Sequence, residues 1–180
     1  MEKNNILGIN GSASPNSSNL TILQTIKEIG EADLLFTIIE DLSILPHFRA
    51  EQSTENTPQV IIEFRQQIEK SDGIIIVTPE YVFSIPSRLK NAIEWCVSET
   101  VFSDKPVGLI TASASGEKGQ EELKLIMKTV QATFTNETTL LIQGAKGKTN
   151  IEGETTDKKT YEQLENLVDS FITLIDKSSV

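Results

Sequence analysis

The sequence is short of the residues that disulfide and metal chemistry require. Among 180 residues there is one Cys and one His, so no intramolecular disulfide can form, and neither a zinc finger nor a multi-histidine centre can be assembled. Basic side chains are scarce as well: 16 Lys and Arg stand against 26 Asp and Glu, a formal net charge of −10. Phosphate neutralisation by Lys and Arg supplies most nucleic-acid affinity, so this balance argues against a free-standing nucleic-acid binder and, equally, against an anionic membrane surface. Long apolar runs are missing. Stretches such as Ile74 to Val77 fall far short of the ~20 residues needed to span a bilayer. The N-terminal MEKNNILGIN has no basic region or small-residue cleavage site and reads as a strand, not a signal peptide. A soluble protein of the reducing cytoplasm is the expectation.

What is present is a regular alternation. The length suits one domain of the usual ~100–200 residues, burying roughly two-thirds of its unfolded surface. Ile6 to Ile9, Leu34 to Ile39, Gly73 to Thr78, Val107 to Thr111 and Glu137 to Ile142 are short apolar strand candidates. At least three are too uniformly apolar to have a wet face, which points to a sheet covered on both sides. Between them lie amphipathic stripes: Leu20, Leu23, Ile26; Val60, Ile61, Phe64, Ile68; Leu89, Ala92, Ile93, Cys96, opened by Pro86; Leu123, Ile126, Met127, Val130; and Tyr161, Leu164, Val168, Phe171, Ile175. Pro86 suits an early helical position, where a missing N–H is tolerated. Five βα units imply a single α/β domain over residues 1–180 with a parallel, doubly wound sheet, and ligands then sit at the carboxyl ends of the strands. The polar stretch Gln143 to Asp157, with three Gly, reads either as a functional loop or as a floppy connection.

Three loops converge on that edge. The first, GSASPNSSN from Gly11 to Asn19, combines small residues, hydroxyls and a helix N-terminus, which is phosphate-binding chemistry. It lacks the Lys of a nucleoside-triphosphate loop and the three-glycine dinucleotide turn, so both of those readings are weakened. Ser17 or Ser18 suits a plain helix cap as well. The second, TPEYVFSIPSRLKNAIEW from Thr78 to Trp95, leaves the sheet at Pro79 and carries Glu80 and Tyr81, because Pro cannot continue a central strand. The third, TASASGEKG from Thr111 to Gly119, holds Gly116 and Gly119, which permit close approach to a planar ligand.

These segments resemble the NADPH-dependent FMN reductase family over nearly the whole chain. The phosphate loop is similar at Gly11, Ser12, Ser17 and Asn19. The flavin-side signature is similar at Pro79, Glu80, Tyr81, Ser84, Ile85, Pro86, Leu89, Lys90, Asn91 and Trp95. Weaker echoes are DLSILPHF, KPVGLITASAS and EGETTD. The resemblance implies a flavodoxin-like three-layer sandwich with strand order 2-1-3-4-5. It also implies noncovalent FMN held by Gly11, Ser12, Ser14, Ser17, Ser18, Asn19 and Leu20 at the phosphate end, and by Pro79, Glu80, Tyr81, Val82, Ser84, Ser113, Ala114, Ser115 and Gly116 around the ring. NADPH or NADH is then the hydride donor and a flavin, quinone, azo compound or similar small molecule the acceptor. Such a flavin supplies the chemistry, so no catalytic side chain and no metal ligand is expected. Relatives commonly pair as homodimers, so a homodimer is implied. The chain departs from the family pattern at Ser14, where an Arg is common, and at Val82-Phe83, where Asn-Gly is favoured. The latter pair is expected to alter the loop or narrow the substrate face.

Other residues have plainer readings. Glu80 suits a ring-side carboxylate, a solvated charge or a helix cap equally. Tyr81 reads as a ligand neighbour or a wedge, Cys96 as a buried structural thiol, His47 as a surface or dimer contact, Trp95 as packing, and Glu121-Glu122 as a solvated first helical turn. Two other functions compete: a flavodoxin-like electron carrier, whose acidity suits basic partners, and a degenerate, non-catalytic relative. A phosphoacceptor receiver is contradicted by Asn10-Gly11 and Thr78-Pro79 where acids are needed, and a serine hydrolase by the missing nucleophile elbow.

Overall fold

The computed structural model describes residues 3–14, 17–150 and 154–178. Five strands form one parallel sheet: β1 (Asn4–Asn10), β2 (Leu34–Ile39), β3 (Gly73–Thr78), β4 (Val107–Ser113) and β5 (Thr139–Gln143). Their order is β2-β1-β3-β4-β5, as the resemblance implied. Pairing of Ile9 with Ile76 and of Ile76 with Leu109 aligns the carboxyl ends of the three central strands. β5 begins two residues later than its apolar pattern suggested. Thr135 and Thr138 exchange side-chain to backbone hydrogen bonds of 2.9 and 3.3 Å, and this closed turn competes with extension of the strand.

Alternation along the strands feeds two cores. Leu7, Ile9, Ile74, Ile76, Val107 and Leu109 face α2 (Gln59–Lys70), α3 (Ser87–Glu94) and α4 (Glu117–Thr129). Ile6, Ile75, Val77, Ile110 and Ala112 face α1 (Ser18–Ile29) and α5 (Lys158–Ser178). Every residue of β3 is buried, as its unbroken apolar run requires. Each fully buried Ile or Leu contributes ~1.5–3 kcal/mol, so the sheet ends are rigid supports for the loops they carry. Pro86 caps α3 from the position just outside it, one step earlier than expected. No helix among the described residues is long and apolar enough to cross a membrane.

The described parts of the connection from β5 to α5, 144–150 and 154–157, are hydrogen-bonded to each other. A short 3-10 turn, Ala145–Gly147, leads into an antiparallel bridge between Thr149 and Thr155. Thr156 N–H donates to Lys148 C=O at 2.8 Å, and Asn150 N–H to Glu154 C=O at 3.0 Å. Glu152 and Gly153 of the EGETTD echo, like Pro15 and Asn16 of the first loop, lie outside the described residues.

A buried cation secures the far end of α3. Arg65 of α2, 7% exposed, donates through Nε to Trp95 C=O at 2.7 Å and through Nη2 to Ser53 C=O at 3.0 Å and Ser98 Oγ at 3.1 Å. Its Nη1 lies 3.4 Å from Glu99 Oε1. The guanidinium thus satisfies a carbonyl at a helix C-terminus, where unpaired acceptors and a negative dipole end favour a cation. Trp95 donates its Nε1–H to Pro46 C=O at 2.8 Å and meets Phe48 edge-on at 5.2 Å. Burial pushes the neighbouring Cys96 thiol up to about 12, consistent with an inert structural residue. Arg65→Met is expected to lower unfolding free energy by about 3 kcal/mol, because it strands buried carbonyls. Urea denaturation checks this, and a loss below about 1 kcal/mol would show that the cap carries little weight.

Candidate functional site

The carboxyl ends of β1, β3 and β4 open onto one cleft of about 1360 Å³. Its first wall is the loop after β1. Asn10 Oδ1 accepts from Ser12 N–H at 3.1 Å, and Ser12 Oγ accepts from Ser14 N–H at 3.2 Å, so successive polar groups fold the loop back on itself. Ser17 caps α1 by accepting from Leu20 N–H at 3.3 Å and also lines the cleft, so capping and site readings both apply. Asn19 is buried and donates Nδ2–H to Ala112 C=O at 3.2 Å. Its Oδ1 has no partner among the described residues. An unpaired buried acceptor costs ~1–3 kcal/mol, which marks this atom as waiting for a donor.

The second wall is a clamped hairpin. Tyr81 and Ser84 exchange backbone hydrogen bonds of 2.8 and 3.0 Å, leaving Val82 and Phe83 as the two turn residues at φ 53° and 59°. Positive φ at both central positions defines a type I′ turn, the geometry that Asn-Gly favours. Val82-Phe83 therefore leaves the loop tight instead of remodelling it, at a strain cost of ~1–2 kcal/mol per residue. Both side chains point away into solvent, 96% and 76% exposed, and neither lines the cleft, so the expected narrowing of the substrate face does not occur. Tyr81 Oη lies 3.4 Å from Ser12 Oγ and ties this loop to the first.

Two carboxylates, one from each side, tie the hairpin to α4. Glu122 Oε2 accepts from Ser84 Oγ at 2.6 Å and from Ile85 N–H at 2.9 Å. Glu80 Oε2 accepts from Gly119 N–H at 2.8 Å, within the first turn of α4. Glu80 is thus a helix cap, one of its three expected roles. Glu122 corrects the sequence reading: α4 starts at Glu117, so Glu121 and Glu122 fall in its second turn. Only Glu121 is a solvated charge, paired with Lys118 at 2.7 Å.

The structure gathers Ser12, Ser14, Ser17, Ser18, Asn19, Leu20, Pro79, Tyr81, Ser113 and Ala114 around the cleft. Gly11, Glu80, Val82, Ser84, Ser115 and Gly116 do not line it. Gly11 packs against Thr78 at the end of β3, Glu80 and Ser84 are engaged with α4, Ser115 is exposed, and Gly116 at φ 88° shapes the start of α4. The sequence reading missed Thr21, Gln24, Ala112 and the 144–150 stretch, including Lys146, Thr149 and Asn150. The three-glycine polar loop was the available signal. That stretch is docked on α1 by Thr149 Oγ1 donating to Ser18 Oγ at 3.0 Å. His47 is exposed, and no group of His, Cys, Asp or Glu among the described residues is arranged to hold a metal.

Residues 4–147 match the family described as NADPH-dependent FMN reductase. The chain is 27% identical over 186 residues to a quinone reductase of Escherichia coli, covering 99% of both proteins. It is 30% identical over 166 residues to an NAD(P)H-dependent FMN reductase of Pseudomonas aeruginosa, covering 89% of each. Among solved structures, a flavoenzyme NAD(P)H:(acceptor) oxidoreductase from Paracoccus denitrificans superposes with a TM-score of 0.83 at 25% identity, over 97% of this chain and 98% of that one. A sheet ordered as expected, a cleft at its carboxyl edge and a family match across most of the chain lead to one assignment: the protein belongs to the NADPH-dependent FMN reductase family.

Proposed function

We propose that the cleft binds FMN noncovalently and that the protein is an NAD(P)H-dependent oxidoreductase delivering electrons to a small acceptor of the quinone class. The observation that carries this reading is the unpartnered Asn19 Oδ1 beside a loop of hydroxyls at a helix N-terminus. Those groups fit the molecule: the first turn of α1 and the hydroxyls of Ser12, Ser17 and Ser18 suit a phosphate, and Asn19 Oδ1 suits a ribityl hydroxyl. The backbone at Pro79–Tyr81 and Ala112–Ala114 suits the two sides of the ring. FMN bound there would supply the redox chemistry between a nicotinamide and the acceptor. The protein's share is to bind, orient and leave one face open. Tyr81 and Lys146 are the titratable side chains on the described lining, which carries no carboxylate or imidazole. The quinone reductase of Escherichia coli supports the choice of acceptor.

Titrating flavin-free protein with FMN, FAD and riboflavin is expected to show selective FMN binding, and the loaded protein is expected to oxidise NADH or NADPH in the presence of a benzoquinone. Absence of FMN binding would sink the proposal. FMN binding without turnover would replace it by the electron-carrier reading.

A cytoplasmic homodimer completes the proposal. Val82, Phe83, Val97 and Leu125, all on or beside the hairpin, α3 and α4, expose large apolar side chains, a distribution that supports a subunit contact there. Sedimentation at micromolar concentration is expected to give a dimer; a monomer refutes it.

Because both turn residues of the hairpin are strained, V82N/F83G is expected to slow amide exchange at Tyr81 and Ser84 about tenfold, equivalent to ~1–2 kcal/mol of local stability. Unchanged or faster exchange would mean that the turn holds no strain.

A further inference from the structure

We infer that Lys146, from the loop before α5, is the counter-ion of the FMN phosphate; this rests on the reading that the cleft binds FMN. The phosphate loop from Gly11 to Asn19 contains no Lys or Arg. The chain as a whole carries −10, which opposes a phosphate dianion at long range. Among the described residues lining the cleft, Lys146 alone bears a full charge.

Its backbone is fixed relative to the rest of the site. Gly144 N–H donates to Ala114 C=O at 3.2 Å, and Gly147 N–H donates to Gly144 C=O at 3.0 Å. Ala145 is buried, and Thr149 is hydrogen-bonded to Ser18 at the first turn of α1. Lys146 is therefore held on a closed turn between the ring end and the phosphate end, with a side chain long enough to serve the latter as a point charge.

Arg88 is the rival cation near the loop. Its Nη1 lies 3.3 Å from Asp41 Oδ1 and 3.5 Å from Ala13 C=O, and the residue does not line the cleft. Its charge is already matched, and its hydrogen bonds brace the loop from outside. Lys148, on the same stretch as Lys146, does not line the cleft either.

FMN and riboflavin share the ring and the ribityl chain and differ by the phosphate, so the ratio of their affinities isolates the charge. Flavin-fluorescence titrations of the wild type, K146Q, K146R and R88Q at low and high salt test the assignment. K146Q is expected to weaken FMN about fivefold at low salt, with a smaller effect at high salt and riboflavin unchanged, and K146R is expected to restore FMN binding. The assignment is overturned if K146Q binds FMN as the wild type does, or if FMN and riboflavin weaken together, which is a structural effect. It is equally overturned if R88Q rather than K146Q loses FMN selectively, or if K146Q raises only the KM for NADPH. A wild type that binds neither flavin overturns the FMN reading along with it, whereas normal FMN binding in both wild type and K146Q overturns the role of Lys146 alone.

Discussion

A β-carbon at residue 11 would stand 2.6 Å from Thr78 Oγ1 and 2.7 Å from Thr78 Cβ. The first loop crosses the end of β3 at that point, with Gly11 N–H donating to Val77 C=O at 2.8 Å, and only glycine permits the approach. The rest of the site depends on this crossing. It continues the β1–β3 pairing by one residue beyond Asn10 and sets the first loop against the second. It also brings Ser12 within reach of Tyr81. Without it the cleft would have two unrelated walls. The fold supplies aligned strand ends, and one missing methyl group turns that alignment into a binding edge.

The second loop is restrained from the opposite side. A type I′ turn built from Val and Phe has poor intrinsic preference, so something outside the turn must favour it. Glu122 of α4 accepts from two donors just after the turn, and Glu80, just before the turn, accepts from Gly119 N–H of α4. Carboxylates bound to backbone N–H groups and a hydroxyl make stronger hydrogen bonds than neutral acceptors do, and three such contacts can offset a strained pair. The hairpin is thus a piece of α4's surface as much as an extension of β3. Motion of α4 would be felt at Tyr81, which links the hairpin to the phosphate loop.

The sheet was readable from sequence because β3, β1 and β4 are buried on both faces, and such burial writes itself as short runs of Ile, Leu and Val, unbroken in β3 and interrupted by Gly in β1 and β4. The helices were readable for the same reason, through Leu23-Ile26 and Phe171-Ile175 stripes aimed at one core; Leu20, counted in the first stripe, lines the cleft instead, and Ile22 takes its place in the core. Strand ends were less so: local Thr135–Thr138 bonding decided where β5 begins, and pattern alone does not weigh that competition. In the cleft, the loops adjoining β1, β3 and β4 were found because they follow strands directly. Glu122 was misread because a carboxylate on a helix looks solvated unless its partner is known, and that partner is 38 residues away in sequence. Lys146 and Thr149 were missed because a turn of Gly, Ala and Lys has no periodicity. Its contacts with Ser18 and Ala114 reveal where it lies.

The acid excess changes meaning once these contacts are placed. Glu80 and Glu122 are structural acceptors, Glu99 stands beside the buried Arg65, and Asp41 engages Arg88. None of the four lines the cleft, and neither does any other carboxylate among the described residues. Among the described residues, negative charge is thus kept off the pocket lining, while Glu80 on the second loop and Glu122 on α4 stand behind it. Screening at physiological salt confines a surface charge to about 8 Å, so a ligand phosphate inside the cleft senses chiefly what lines it: hydroxyls, the positive end of α1 and one lysine. A site of this kind reads an anion by local donors and tolerates an acidic exterior, because the two act over different distances.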